Sequence, residues 1–185
     1  MKKKNHSNEK IEAITFKTLI VGVDIAKHNQ WARFVDCRGI EHNKALKFEN
    51  NRNGFNTILT RIYEICKNED FNKIIVGMEP TGHYWKAFAN FLLKQAKITV
   101  VLVNPYHTKK AKELDDNSQT KSDKKDALTI ARLVKDGRYF ETYLQHDVNA
   151  ELRVLTTSRH SMKNRKKYIV NTITAVKEEY ITEFI

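Results

Sequence analysis

The stretch TKSDKKDALTIARL (120–133) sets Asp123 and Asp126 three positions apart. On a helix that spacing turns both carboxylates the same way. Two more acids stand in unusual settings: Asp24 inside the apolar run VGVDIAK, and Glu79 at the end of IIVGME, just before Pro80. An unpaired charge within an apolar strand costs several kcal/mol, so Asp24 needs a partner. In sheets with parallel neighbours, ligands gather at the carboxyl ends of strands, where Asp24 and Glu79 can meet. With the helix of Asp123 and Asp126 over that edge, four carboxylates share one place and stay ionised together only with cations. Mg2+, with Mn2+ as a substitute, is hard, prefers oxygen and also binds phosphate oxygens. Two such ions about 3.5–4 Å apart clamp a phosphodiester and activate water or a hydroxyl. Each acid also has a plainer use. Asp126 can pair with Lys121 or Lys125 on a solvated face, Asp123 or Ser122 can cap the helix, and Glu79 can end its strand in water.

The elements that must position these acids follow from periodicity. TLIVGVDIAK (18–27), NQWARFVDC (29–37) and KALKFEN (44–50) read as three strands with short connections, hence an antiparallel meander. In 51–70, Phe55, Ile58, Leu59, Ile62 and Cys66 recur at helical spacing. A strand (72–79), an amphipathic helix carrying Trp85, Phe88, Phe91 and Leu92, and a fifth strand (98–105) follow. The order predicts a mixed five-stranded sheet covered by helices, the order of the ribonuclease H-like architecture. Beyond residue 105, 106–116 reads as helix and 117–121 as loop. The next helix has Ala127, Ile130, Ala131 and Val134 as its buried side and ends at Asp136-Gly137. Residues 148–180 lack proline and glycine and read as one long helical arm. Its stripe comprises Leu152, Leu155, Ile169, Ile173, Val176 and Tyr180. The expected organisation is a flexible basic tail (1–17), a catalytic domain (18–142) and a coiled-coil-like arm (143–185).

The 185 residues include 33 Lys and Arg against 22 Asp and Glu, a formal net charge of +11. This balance favours polyanion partners, nucleic acid first and anionic membrane second. Cys37 and Cys66 form no CxxC pair, which removes a zinc or redox motif and fits reduced thiols in a cytoplasmic protein. No apolar run approaches the ~20 residues of a membrane span. The basic N-terminus lacks the apolar segment of a signal peptide.

Four blocks, VGVDIAK, GMEPTGHYW, VNPYHTKK and TKSDKKDALTIARL, together resemble the DEDD-type transposases of insertion sequences. These have a RuvC-like N-terminal domain, and Piv-type DNA invertases are their relatives. The match runs in order over roughly 18 to 180. The resemblance implies a ribonuclease H-like fold with Mg2+ held by Asp24, Glu79, Asp123 and Asp126 as catalytic and metal-binding residues. It also implies a structured guide RNA that pairs with donor and target DNA. The arm would serve RNA contact and assembly into a homodimer or higher oligomer. Family members continue into a C-terminal domain with a serine nucleophile. None of Ser7, Ser118, Ser122, Ser158 or Ser161 has a matching context, and the sequence ends at Ile185. The expectation is therefore a polypeptide incomplete for full recombination.

Around the acids, Trp85 reads as core, and His83 as a hydrogen-bonded loop histidine or a proton carrier. Asn104, Tyr106, His107, Lys109 and Lys110 follow the fifth strand and can hold phosphate. On the arm, Arg153, Arg159, Lys163, Arg165, Lys166 and Lys167 suit a nucleic-acid backbone, which binds without sequence reading and weakens with salt. Three other readings compete: a non-catalytic nucleic-acid-binding and dimerisation module, a freestanding RuvC-like Holliday-junction resolvase, and a small kinase. The kinase needs a second glycine-rich phosphate loop, and the six glycines form no such cluster.

Overall fold

The apolar runs at 18–24, 73–78 and 98–102 become strands with side chains buried on both faces. The structure is a computed structural model and describes residues 6–115, 123–142 and 148–181. The elements are α1 (His6–Glu12), β1 (Thr18–Asp24), β2 (Asn29–Val35), β3 (Leu46–Glu49), α2 (Arg52–Asn68), β4 (Lys73–Met78), α3 (Trp85–Leu93), β5 (Ile98–Leu102), α4 (Pro105–Asp115), α5 (Asp123–Lys135), β6 (Phe140–Glu141) and α6 (Val148–Ile181). They form two compact units, 1–142 and 143–185.

The sheet order is β3-β2-β1-β4-β5-β6. β1, β4 and β5 run parallel, and β2, β3 and β6 are antiparallel to their neighbours. The expected mixed sheet of ribonuclease H-like order is therefore present, with one strand more than the five expected. β6 is two residues long, too short to show a period.

Alternation along β1 divides the two faces. Ile20 joins Ile75, Val101, Ile130, Ala131 and Val134 in a core beneath α5. Leu19, Val21 and Val23 point to the opposite side and are also fully buried. The aromatic rings of Phe48, Phe55, Phe88 and Phe91 join β3, α2 and α3 in one cluster. Trp85 is buried with Phe88 and Leu92, as its helical spacing predicts. α3 starts only at Trp85, because Pro80 and Gly82 (φ +64°) shape the preceding residues as a turn. Cys37 and Cys66 are free and half-buried.

Part of the N-terminal segment is ordered against the domain. His6–Glu12 is helical, the Lys10 ammonium lies 5.1 Å from the Tyr139 ring centre, and Lys73 donates to the Ala13 carbonyl at 2.7 Å. Cation–π and long-range hydrogen bonds of this kind leave no trace in local periodicity.

α6 is a single helix of 34 residues. Its apolar residues Leu152, Leu155, Ile169, Ile173, Val176 and Tyr180 are all exposed. No helix among the described residues is long and apolar enough to cross a membrane.

Candidate active site

Two glycines explain how α5 reaches the strands that carry the acids. Gly22 on β1 and Gly77 on β4 face each other in register. A Cβ on Gly22 would lie 2.1 Å from the Ala127 carbonyl oxygen and 2.4 Å from the Ala131 nitrogen. One on Gly77 would lie 2.3 Å from Val134 Cγ2. The helix thus rests on bare backbone at both positions. Asp24 and Glu79 come two residues after these glycines, so the strand period turns them toward the same helix. Since Val23 pairs with Met78, Asp24 and Glu79 follow on adjacent parallel chains spaced about 4.8 Å apart.

α5 supplies the other two acids. Ala127, Ile130, Ala131 and Val134 are fully buried, which orients the helix as its spacing predicts. Asp123 and Asp126 stand in its first turn, where negative charge favours the positive helix end. Asp123 is the first helical residue; Ser122, the alternative cap, lies outside the described residues. At the other end, Gly137 (φ +71°) donates to the Val134 carbonyl and Arg138 to that of Leu133, so the helix stops where the Asp-Gly pair predicts.

Electrostatics record how near the four acids come. Burial pushes the Asp24 carboxyl up from 3.8 to about 6, and the charges of Asp126, Asp123 and Glu79 add to the effect; Lys112 pulls it down. Asp126, Asp123 and Glu79 therefore each lie within electrostatic reach of Asp24, at the carboxyl end of β1.

It does not bring them into ligand geometry. Among the described residues, no group of three or more His, Cys, Asp or Glu side chains is arranged to hold a metal ion. Two of the acids are engaged elsewhere. Glu79 accepts from the Thr81 hydroxyl at 2.6 Å. Asp126, only 14% exposed in its side chain, lies 2.7 Å from the Lys112 ammonium. Lys112 was not among the partners expected for Asp126; of those, Lys121 lies outside the described residues. The chemistry still fits a divalent cation, because every donor is a carboxylate oxygen and one cation, the Lys112 ammonium, already stands among them.

β2 grips the start of α5. Lys124 Nζ lies 4.7 Å from the centre of the Trp31 ring, and Trp31 pairs with Asp24 across the sheet. Arg33 donates weakly to the Lys124 carbonyl at 3.4 Å and is ion-paired with Glu41. Sequence reading had passed over Lys112, Trp31 and Lys124. The only signal was a tryptophan on the strand beside Asp24, and no local pattern marked Lys112.

The remaining candidates lie as follows. The Asn104 side chain accepts from the Tyr106 amide at 2.9 Å and starts α4. Lys109 is exposed, and Lys110 pairs with Glu113 at 3.0 Å. The exposed His83 ring lies against Tyr84, with centres 4.2 Å apart. On α6, Arg159, Lys163, Arg165, Lys166 and Lys167 are exposed, as are Ser158 and Ser161. Arg153 lies on the same helix, its side chain outside the described part, and Ser118 lies outside the described residues.

A comparison with curated proteins returns no match. Among solved structures, the chain is similar to Thermus thermophilus RuvC in complex with a Holliday junction substrate. Identity is 14% and the TM-score 0.44, covering 68% of this chain and 99% of that one. A second Thermus thermophilus RuvC structure gives 14% and 0.43, covering 67% and 99%. The yeast mitochondrial Holliday junction resolvase Ydc2 gives 8% and 0.34, covering 71% and 82%. The IS110-type DEDD family model, described as a transposase, matches residues 21–181, and the chain belongs to that family.

Proposed function

We propose that residues 18–142 form the metal-dependent nuclease domain of a DNA transposase, with Asp24, Glu79, Asp123 and Asp126 as its catalytic carboxylates. The observation that carries this reading is geometric: α5, with Asp123 and Asp126 in its first turn, packs on the bare backbone of Gly22 and Gly77, two residues before Asp24 and Glu79 on neighbouring parallel strands. Evolution has no stability reason to aim four like charges at one strand edge. A site of this kind matches a reaction in which phosphate charge must be neutralised.

These four side chains would hold Mg2+ or Mn2+. When bound, such ions polarise the scissile phosphate and supply an activated water or hydroxyl. The chain's own residues do the rest. Glycines 22 and 77 let α5 bring Asp123 and Asp126 down onto the strand ends. Trp31 and Arg33 hold the helix start in place through Lys124. Lys109 and Lys110, on the helix beside this edge, would bind flanking phosphates.

The arm extends the reading to a structured guide RNA and to assembly into a homodimer or higher oligomer. Arg159, Lys163 and Lys166 share a shallow hollow on α6 with Leu155 and Met162. Exposed cations at helical spacing with apolar neighbours suit a folded phosphate backbone, in a protein working on DNA in the cytoplasm. A serine nucleophile, which the family supplies from a C-terminal domain, would complete strand transfer.

Calorimetric titration with Mg2+ and Mn2+ tests the reading. The wild-type chain should bind either ion, while Asp24→Asn and Asp126→Asn should lose at least tenfold in affinity with the fold retained. Failure of the wild-type chain to take up either ion at millimolar concentration removes the site.

A further inference from the structure

We infer that Lys112 is a built-in counter-cation of the acidic edge: its ammonium occupies ground a divalent ion would take, and it must leave Asp126 before that ion binds. The inference rests on the carboxylate reading above and adds a residue that sets how tightly the edge takes metal.

Lys112 is delivered there by a fixed backbone. Asn104 starts α4 through its side chain and its carbonyl, and Thr108, one turn on, is buried. Ala111, immediately before Lys112, packs against the core under α5. The Cα of Lys112 is therefore anchored, while its four-carbon stem is free to swing. Its head lies 2.7 Å from Asp126. The two side chains differ in exposure, 40% for the lysine and 14% for the acid, so the lysine can retreat to water where the acid cannot.

Two other lysines of α4 and α5 have different partners. Lys124 lies over Trp31, and Lys110 is paired with Glu113. Lys112 also pulls on the Asp24 carboxyl, so its charge reaches beyond Asp126. In the absence of metal, one ammonium relieves repulsion among four carboxylates. An ion arriving on those oxygens competes with it directly, because two cations on one carboxylate repel.

The test is Mn2+ titration of the full chain, comparing wild type, Lys112→Met and Lys135→Met, with melting curves at each metal level. Lys135, paired with Asp136 at the far end of α5, controls for loss of a positive charge. Lys112→Met should bind Mn2+ about fivefold more tightly, as expected on removing one partly exposed competing pair. It should melt below wild type without metal and level with it at saturation. Lys135→Met should change affinity less than twofold. Equal or weaker binding by Lys112→Met, with wild type still binding, overturns the inference and leaves the carboxylate site standing. No binding by either chain removes the carboxylate reading and the inference with it.

Discussion

Asp24→Asn should stabilise the metal-free protein at neutral pH. The Asp24 carboxyl titrates near 6 in the folded chain instead of 3.8, chiefly through burial and the charge of Asp126. A raised acid is disfavoured once ionised: the folded state binds its proton more tightly than the unfolded state does. Stability is therefore lost as pH rises from about 4 through 6, and the whole penalty is present at pH 7. The displacement corresponds to a ceiling of about 3 kcal/mol. Asp24 is only half-buried, so solvent screening brings the expected effect to about 1 kcal/mol. For a chain of this size that is an increase of about 2–4 °C in melting temperature. The assay is a set of melting curves at pH 4 and pH 7.5 in chelator, for wild type and Asp24→Asn. The variant should melt higher at pH 7.5 and level with wild type at pH 4. With saturating Mn2+ the order should reverse, because only wild type gains from the ion. A variant that melts lower than wild type in chelator at pH 7.5 refutes the reasoning, since Asp24 would then be making favourable contacts instead of bearing repulsion.

Asp36 behaves in the opposite sense. Burial raises its carboxyl, but the Ile40 and Arg38 amides and the Arg38 guanidinium outweigh that and hold it below the ordinary range. Its contribution is present above the unfolded value and lost as pH falls through the folded one. Asp36→Asn should cost about 2 kcal/mol by denaturant unfolding at pH 7, and less at pH 3. Gly22→Ala should cost about 3 kcal/mol or more, since the new methyl meets the α5 backbone, and it should weaken Mn2+ binding in calorimetry by moving Asp126 off the edge. Replacing Arg165, Lys166 and Lys167 together with Ala should lower RNA affinity in gel shifts and reduce the salt slope by about 2. Equal retention at matched salt would make the arm's cations ordinary solvated charges.

Much of the frame was legible because each element carries its own period. Alternation and apolar runs located β1 to β5, and the 3.6-residue spacing of Ala127, Ile130, Ala131 and Val134 gave the buried side of α5. Those two periods also suggest which way Asp24, Glu79 and Asp126 turn, which is what allowed four acids spread from 24 to 126 to be proposed as one group. β6 was invisible because two residues carry no alternation. The helix at His6–Glu12 was invisible because what holds that segment, the Tyr139 ring beside Lys10 and the Ala13 carbonyl bonded by Lys73, lies far along the chain.

By itself, then, the sequence determined where the acids stand on their elements: carboxylates at strand ends and on one helix face, within a chain of net charge +11. Only the tertiary structure decided which of 33 basic side chains meets Asp126. Periodicity reports which way a side chain faces from its own element, whereas an ion pair between α4 and α5 depends on how two elements pack. Contact between the Gly22 backbone and α5, and of Ala111 with the same core, sets that packing at distances no local pattern encodes.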